Sequence, residues 1–152
     1  MKLMDLMDKN SIVPELTGKG KKEVLAELCQ VIAAREGLET APLLEVLLER
    51  EKLGSTGIGE GIAIPHGKTT ATDKLLVACG RSLHGVDFDS MDGKPTHIFF
   101  LLLAPENTAG THLKALAKIS RLLKDSDFRQ KLLAASGVDE IYQLIASKDD
   151  DF

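Results

Sequence analysis

The sequence predicts an α/β protein, a three-layer α/β/α sandwich with a mixed β-sheet flanked by helices. Three observations predict it. Helical periodicity occupies residues 19–53 and returns after residue 111, with strand-like apolar segments between. The run Ile98–Ala104 is continuously apolar, as expected of a strand covered on both faces. Residues Gly85–Pro95 are rich in Gly, Asp and Ser and short enough for a hairpin connection, which makes the two strands they join antiparallel and the sheet mixed.

Each element has its own signal. Val24, Leu25, Leu28, Val31 and Ile32 recur at helical spacing within residues 19–36, and Gly37 supplies a stop. A second helix is expected from Thr40 as N-cap, with Pro42 in its first turn, to about Leu53. Arg50 then falls in its last turn. Ile62–Pro65 reads as a short strand, and Leu75–Leu83 and Thr96–Leu103 as longer ones. Three helices follow: Thr111–Lys124, with His112, Leu116, Ile119 and Leu123 on one stripe; Phe128–Ala135, behind Asp125-Ser126-Asp127 as cap; and Val138–Ala146, with Val138, Ile141, Tyr142 and Ile145 inward. One domain is expected over residues 1–148. Residues 149–152 are expected to form an acidic tail, with Asp149, Asp150 and Asp151 solvated and frayed.

Composition narrows the function. The chain has 152 residues, 43% apolar and 28% charged, enough for a proper core. A net charge of −4 argues against a nucleic-acid binder that works by phosphate neutralisation. Ile98–Ala104 is too short to span a bilayer, and the early Asp5 argues against a leader peptide. No membrane insertion is expected. Cys29 and Cys79 lie far apart without metal or redox spacing and read as free core thiols of a reducing cytoplasm.

The most informative stretch is Gly54–Lys68, Gly-Ser-Thr-Gly-Ile-Gly-Glu-Gly-Ile-Ala-Ile-Pro-His-Gly-Lys, which holds five of the thirteen glycines. Glycine permits positive φ and close backbone approach, so such a loop can aim bare N–H groups at an anion. His66, fixed between a rigid Pro65 and a small Gly67, is a nitrogen nucleophile beside that cradle. An imidazole with a reference pKa near 6.5 is mostly neutral at pH 7 and has one nitrogen free to attack. Phosphoryl transfer is the chemistry that uses a held imidazole, hydroxyl or amide donors and a cation together. Ser55, Thr56 and the loop amides are candidate donors, and Arg50 offers a fork of charge-assisted donors. His112, in the first turn of its helix behind Thr108 and Thr111, sits in a field that favours an anion and disfavours its own protonation.

Arg50, the run Gly54–Lys68 and Thr111-His112-Leu113 together resemble the IIA domains of the bacterial phosphoenolpyruvate:sugar phosphotransferase system, fructose/mannitol class. The wording of the central run is most similar to the nitrogen-regulatory IIA branch. The resemblance implies the fold of those domains over essentially the whole chain. It implies that His66 accepts phosphate from the phosphohistidine of a carrier of the HPr or NPr type, with Arg50 and His112 as supporting residues and Thr56 as a phosphate neighbour. It implies no cofactor and no metal. The recipient is a cysteine of a IIB domain in sugar-transporting relatives; in the nitrogen branch the phosphorylation state regulates other proteins, including potassium-transport and sensor partners. Cys29 and Cys79 lack the phosphate-cradling loop of a IIB cysteine, so the phosphate is expected to leave the chain.

Other readings are weaker. Gly57-Ile58-Gly59-Glu60-Gly61 is neither a dinucleotide nor a Walker fingerprint, and it follows a helix rather than a strand. No HExxH spacing supports a metal hydrolase on His66 and His112. An interaction module that has lost phosphate traffic would not need Arg50, His66 and His112 together. Lys68 reads as a surface charge or partner contact, and His84 and His97 as bystanders.

Overall fold

The computed structural model describes residues 2–150. In chain order they form β1 (Ile12–Val13), α1 (Lys21–Glu36), α2 (Thr40–Glu51), β2 (Gly57–Gly59), β3 (Ile62–Ala63) and β4 (His66–Thr69). Then come β5 (Leu76–Val86), β6 (Thr96–Pro105), α3 (Ala109–Lys124), α4 (Ser126–Ala134) and α5 (Val138–Asp149). Strand order is β1-β5-β6-β3-β2, with β4 also on β6. β5 and β6 are antiparallel and β1, β3 and β4 pair in parallel, so the sheet is mixed.

Alternation along β6 splits its apolar run between two cores. Phe99, Leu101 and Leu103 join Leu25, Leu28, Ile32, Leu43 and Leu47 of α1 and α2 on one face. Ile98, Phe100, Leu102 and Ala104 join Ile119, Leu123, Phe128, Leu132, Ile141 and Ile145 of α3–α5 on the other. This is the three-layer sandwich expected of a strand covered twice. Cys29 and Cys79 are free and buried in opposite layers, and burial pushes both thiols up to about 12.

The helices follow their stop signals. Gly37 closes α1 in the left-handed region at φ 69°. Asp125 caps α4 by accepting from the amides of Asp127 and Phe128. Arg81 of β5, 6% exposed, closes the other end of α4: Nη1 donates to the carbonyls of Leu132 (2.9 Å) and Ala135 (2.6 Å), while Nε donates to that of Pro14 (2.9 Å). A buried guanidinium thus satisfies carbonyls that a helix end leaves bare.

Several expectations are corrected. Thr40 is the first helical residue of α2 and not its cap; that position is Glu39, extended at φ −90° and ψ 140°. The helix stops at Glu51, and Lys52 and Leu53 belong to the turn that follows. The strand read at Ile62–Pro65 is only Ile62–Ala63, β3; it stops before Pro65, which has no N–H for the ladder, and a separate strand that was not expected, β4, begins at His66. Asp149 is not solvated. It ends α5 at 1% exposure, pairs with Lys118 Nζ at 2.8 Å, and accepts from the amides of Leu3 and Met4 at 3.1 Å each. Asp151 lies outside the described residues.

Candidate functional site

β4 is the edge that carries the site. It runs parallel to β6, with His66 opposite Leu102, and Leu102 N donates to Pro65 O at 2.9 Å. His66 and Lys68 share one face of this strand by its two-residue period. α2 lies directly against it: a Cβ at Gly67 would stand 2.6 Å from Val46 Cγ1. Only glycine admits this approach, which brings Pro42, Val46 and Arg50, one stripe of α2, and Leu53 of the turn after it to the cleft that His66 also lines. On the other side, α3 begins just after β6, and His112 N bonds Thr108 O at 2.9 Å in its first turn.

These elements enclose a cleft of about 730 Å³ whose lining includes His66, Lys68, Arg50, His112, Leu53 and Glu106. Its lining follows β4 from His66 to Thr69 and takes in Glu106, just after β6. The rings of His66 and His112 meet edge to face, centroids 5.6 Å apart at 70°. His66 is half-buried, and its Nδ1 lies 2.8 Å from Ile64 O. A carbonyl can only accept, so Nδ1 carries the proton of the neutral ring and Nε2 keeps its lone pair. Arg50 Nη1 donates to Gly54 O at 2.9 Å, which fixes the guanidinium at the cleft wall.

His112 is 6% exposed, and its Nδ1 is buried without a hydrogen-bond partner among the described residues. Burial, then the neighbouring His66 and Lys68, hold its pKa below the usual imidazole range. It is therefore a neutral ring beside that of His66. No cluster of metal-ligating side chains occurs among the described residues.

His66, His112 and Arg50 thus converge, and Lys68, read from sequence as peripheral, faces the same cleft. Thr56 does not join them. It is 4% exposed, outside the cleft lining, and donates both its hydroxyl and its amide (3.1 Å) to the Glu51 carboxylate. Ser55 Oγ is likewise engaged, with Phe88 O at 2.6 Å.

The glycine loop is no anion cradle. Its amides serve Ser55 Oγ, Thr56 O and Asp92, and its glycines make turns at Gly59 (φ 95°) and Gly61 (φ 75°). A glycine required by a turn and one required by an anion look alike in sequence. The Glu51 contact to Thr56 was missed, although an acid five residues before a Thr at a helix end was a visible signal.

An imidazole with Nδ1 on a backbone carbonyl, sharing a cleft with Arg50 and Lys68, is an arrangement suited to a phosphocarrier domain. Residues 5–148 match the family described as phosphoenolpyruvate-dependent sugar phosphotransferase system, EIIA 2. The chain is 44% identical over 146 residues to a nitrogen regulatory protein of Bradyrhizobium diazoefficiens, covering 96% of this chain and 95% of that one. It is 40% identical to the fructose-specific EIIABC component of Bacillus subtilis, covering 98% of this chain but 24% of that larger protein. The crystal structure of nitrogen regulatory protein IIA-Ntr from Neisseria meningitidis superposes with a TM-score of 0.88 at 34% identity, covering 94% of this chain and 98% of that one. The chain belongs to the EIIA type 2 family of the phosphotransferase system and is a phosphotransferase component. Among the described residues no helix is long and apolar enough to cross a membrane.

Proposed function

We propose that the chain carries phosphate on Nε2 of His66, taken from the phosphohistidine of an HPr- or NPr-type carrier, and acts in the nitrogen-regulatory manner on other cytoplasmic proteins. The observation that carries this is the Nδ1–Ile64 carbonyl contact at 2.8 Å, which leaves Nε2 unprotonated within the cleft. In the transfer, the Nε2 lone pair forms a bond to phosphorus as the carrier's N–P bond breaks. The electron pair returns to the carrier's ring. The proton on Nδ1 stays where Ile64 O holds it, so the phosphorylated ring is cationic and the phosphoryl group remains easy to pass on. Arg50 and Lys68 offset charge on the phosphoryl oxygens, and the neutral His112 can donate one N–H to them.

The near full-length similarity to a nitrogen regulatory protein favours the regulatory role. The phosphoryl group brings about two negative charges to a surface that partners such as potassium-transport or sensor proteins can read. The fructose-specific relative supports a second reading, in which the phosphate passes to a IIB cysteine.

The test is labelling by an HPr-type carrier charged with enzyme I and phosphoenolpyruvate. An acid-labile, base-stable phosphate is expected, and His66→Ala should abolish it; full labelling of that variant removes the assignment. Transfer from the charged protein to a panel of IIB domains then separates the two recipients.

A further inference from the structure

Glu51 is a buried acid that the transfer chemistry does not touch. Its carboxylate accepts from Lys21 Nζ at 3.0 Å, from Thr56 N at 3.1 Å and from the Thr56 hydroxyl. Lys21 also reaches Asp89 at 3.3 Å, and Ser55 Oγ donates to Phe88 O at 2.6 Å. The start of α1, the end of α2 and the β5–β6 connection are therefore knotted around one carboxylate.

That knot closes the turn of residues 52–55 at both ends. Gly54 lies in the middle, at φ 140°, and a Cβ placed on it would meet nothing within 4 Å. The space on that side of the peptide is open. Its amide bonds Glu51 O at 3.1 Å, and its carbonyl is the one that receives Arg50 Nη1 at 2.9 Å. Where the carbonyl points depends on closure of the turn, and closure depends on the Glu51–Thr56 bonds.

We infer that Glu51 is a positioning residue for Arg50: by clamping Thr56 it fixes the Gly54 carbonyl, which in turn holds the guanidinium at the cleft. The inference rests on the reading of His66 as phosphoryl acceptor. Misplacement of a charge-stabilising group by about 1 Å costs up to about 100-fold in rate.

The experiment is single-turnover transfer from a charged HPr-type carrier into the full chain for wild type, Glu51→Gln, Arg50→Ala and the double variant, with the folded fraction checked by circular dichroism. Glu51→Gln is expected to be slower by about 10- to 100-fold, and the double variant no slower than Arg50→Ala alone. A wild-type rate in either single variant, or slowing that multiplies in the double, overturns the inference. A role in stability alone would not produce the non-additivity. If Glu51→Gln does not fold, Thr56→Val removes one clamp bond at constant shape. Its slowing should vanish in the Arg50→Ala background, and multiplication there overturns the inference equally. Labelling of His66→Ala would sink the underlying reading, whereas an unlabelled His66→Ala with multiplicative Glu51→Gln sinks only the positioning role.

Discussion

His112 shows how one side chain links burial to chemistry. Its ring is held neutral first by desolvation and then by His66 and Lys68, so its folded pKa lies below its unfolded value. The unfolded ring titrates near about 6.5. Between the two values the unfolded chain binds more protons, so stability must rise with pH. The contribution is complete above about pH 6.5 and is lost as pH falls through the folded value, with a slope of at most about 1.4 kcal/mol per unit. Urea denaturation from pH 7.5 down to pH 5 is expected to show this slope, reduced in His112→Gln. An unchanged slope in that variant would mean the ring is not held neutral by its burial. The helix-start position of His112 was legible from Thr108 and Thr111, but its orphaned Nδ1 was not, because it depends on what packs above the ring.

At the scale of elements, the distance between α2 and β4 decides whether Arg50 and His66 share a cleft. Gly67 sets that distance through its contact with Val46. Gly67→Ala is predicted to displace the helix and slow phosphoryl uptake by about 10-fold or more. Val46→Ala in that background should restore much of the rate, because the added methyl then has room. No recovery in the double variant would show that the glycine is needed for another reason. The long elements were legible because each carries a period: β6 through its unbroken apolar run, α1 through its stripe and Gly37. Short β1 and β2 were not, since two or three residues hold no period, and pairing alone makes them strands. The same limit hid the division of β3 from β4, where Pro65 was visible but its ladder partner on β6 was not. His66, Arg50 and His112 were legible as chemical types in a recognisable run. Thr56 was misplaced because hydroxyl chemistry near a glycine loop does not reveal which carboxylate the hydroxyl faces.

For the whole molecule, the two ends of the described chain meet at one buried carboxylate, that of Asp149. Asp149 closes α5, Lys118 comes from the middle of α3, and the Leu3 and Met4 amides come from the first turn of the chain. Burial alone would raise the Asp149 pKa. The Lys118 bond and the two amides outweigh burial, leaving the carboxyl below its ordinary value. Its stabilising contribution is therefore present above the unfolded value of about 3.9 and is lost as pH falls through the lower folded value. Asp149→Ala removes the carboxylate that Lys118 and the Leu3 and Met4 amides share in the interior, which is expected to cost about 2–5 kcal/mol. Urea titration at pH 7 should show this as a lower midpoint at constant slope. Replacing both members of the pair, Lys118→Met with Asp149→Leu, puts apolar side chains in their place and should recover part of the loss. Recovery stays incomplete because the Leu3 and Met4 amides lose their acceptor. A cost below about 1 kcal/mol for Asp149→Ala would place the pair with ordinary surface bridges and leave the union of the chain ends to apolar packing of α3, α4 and α5.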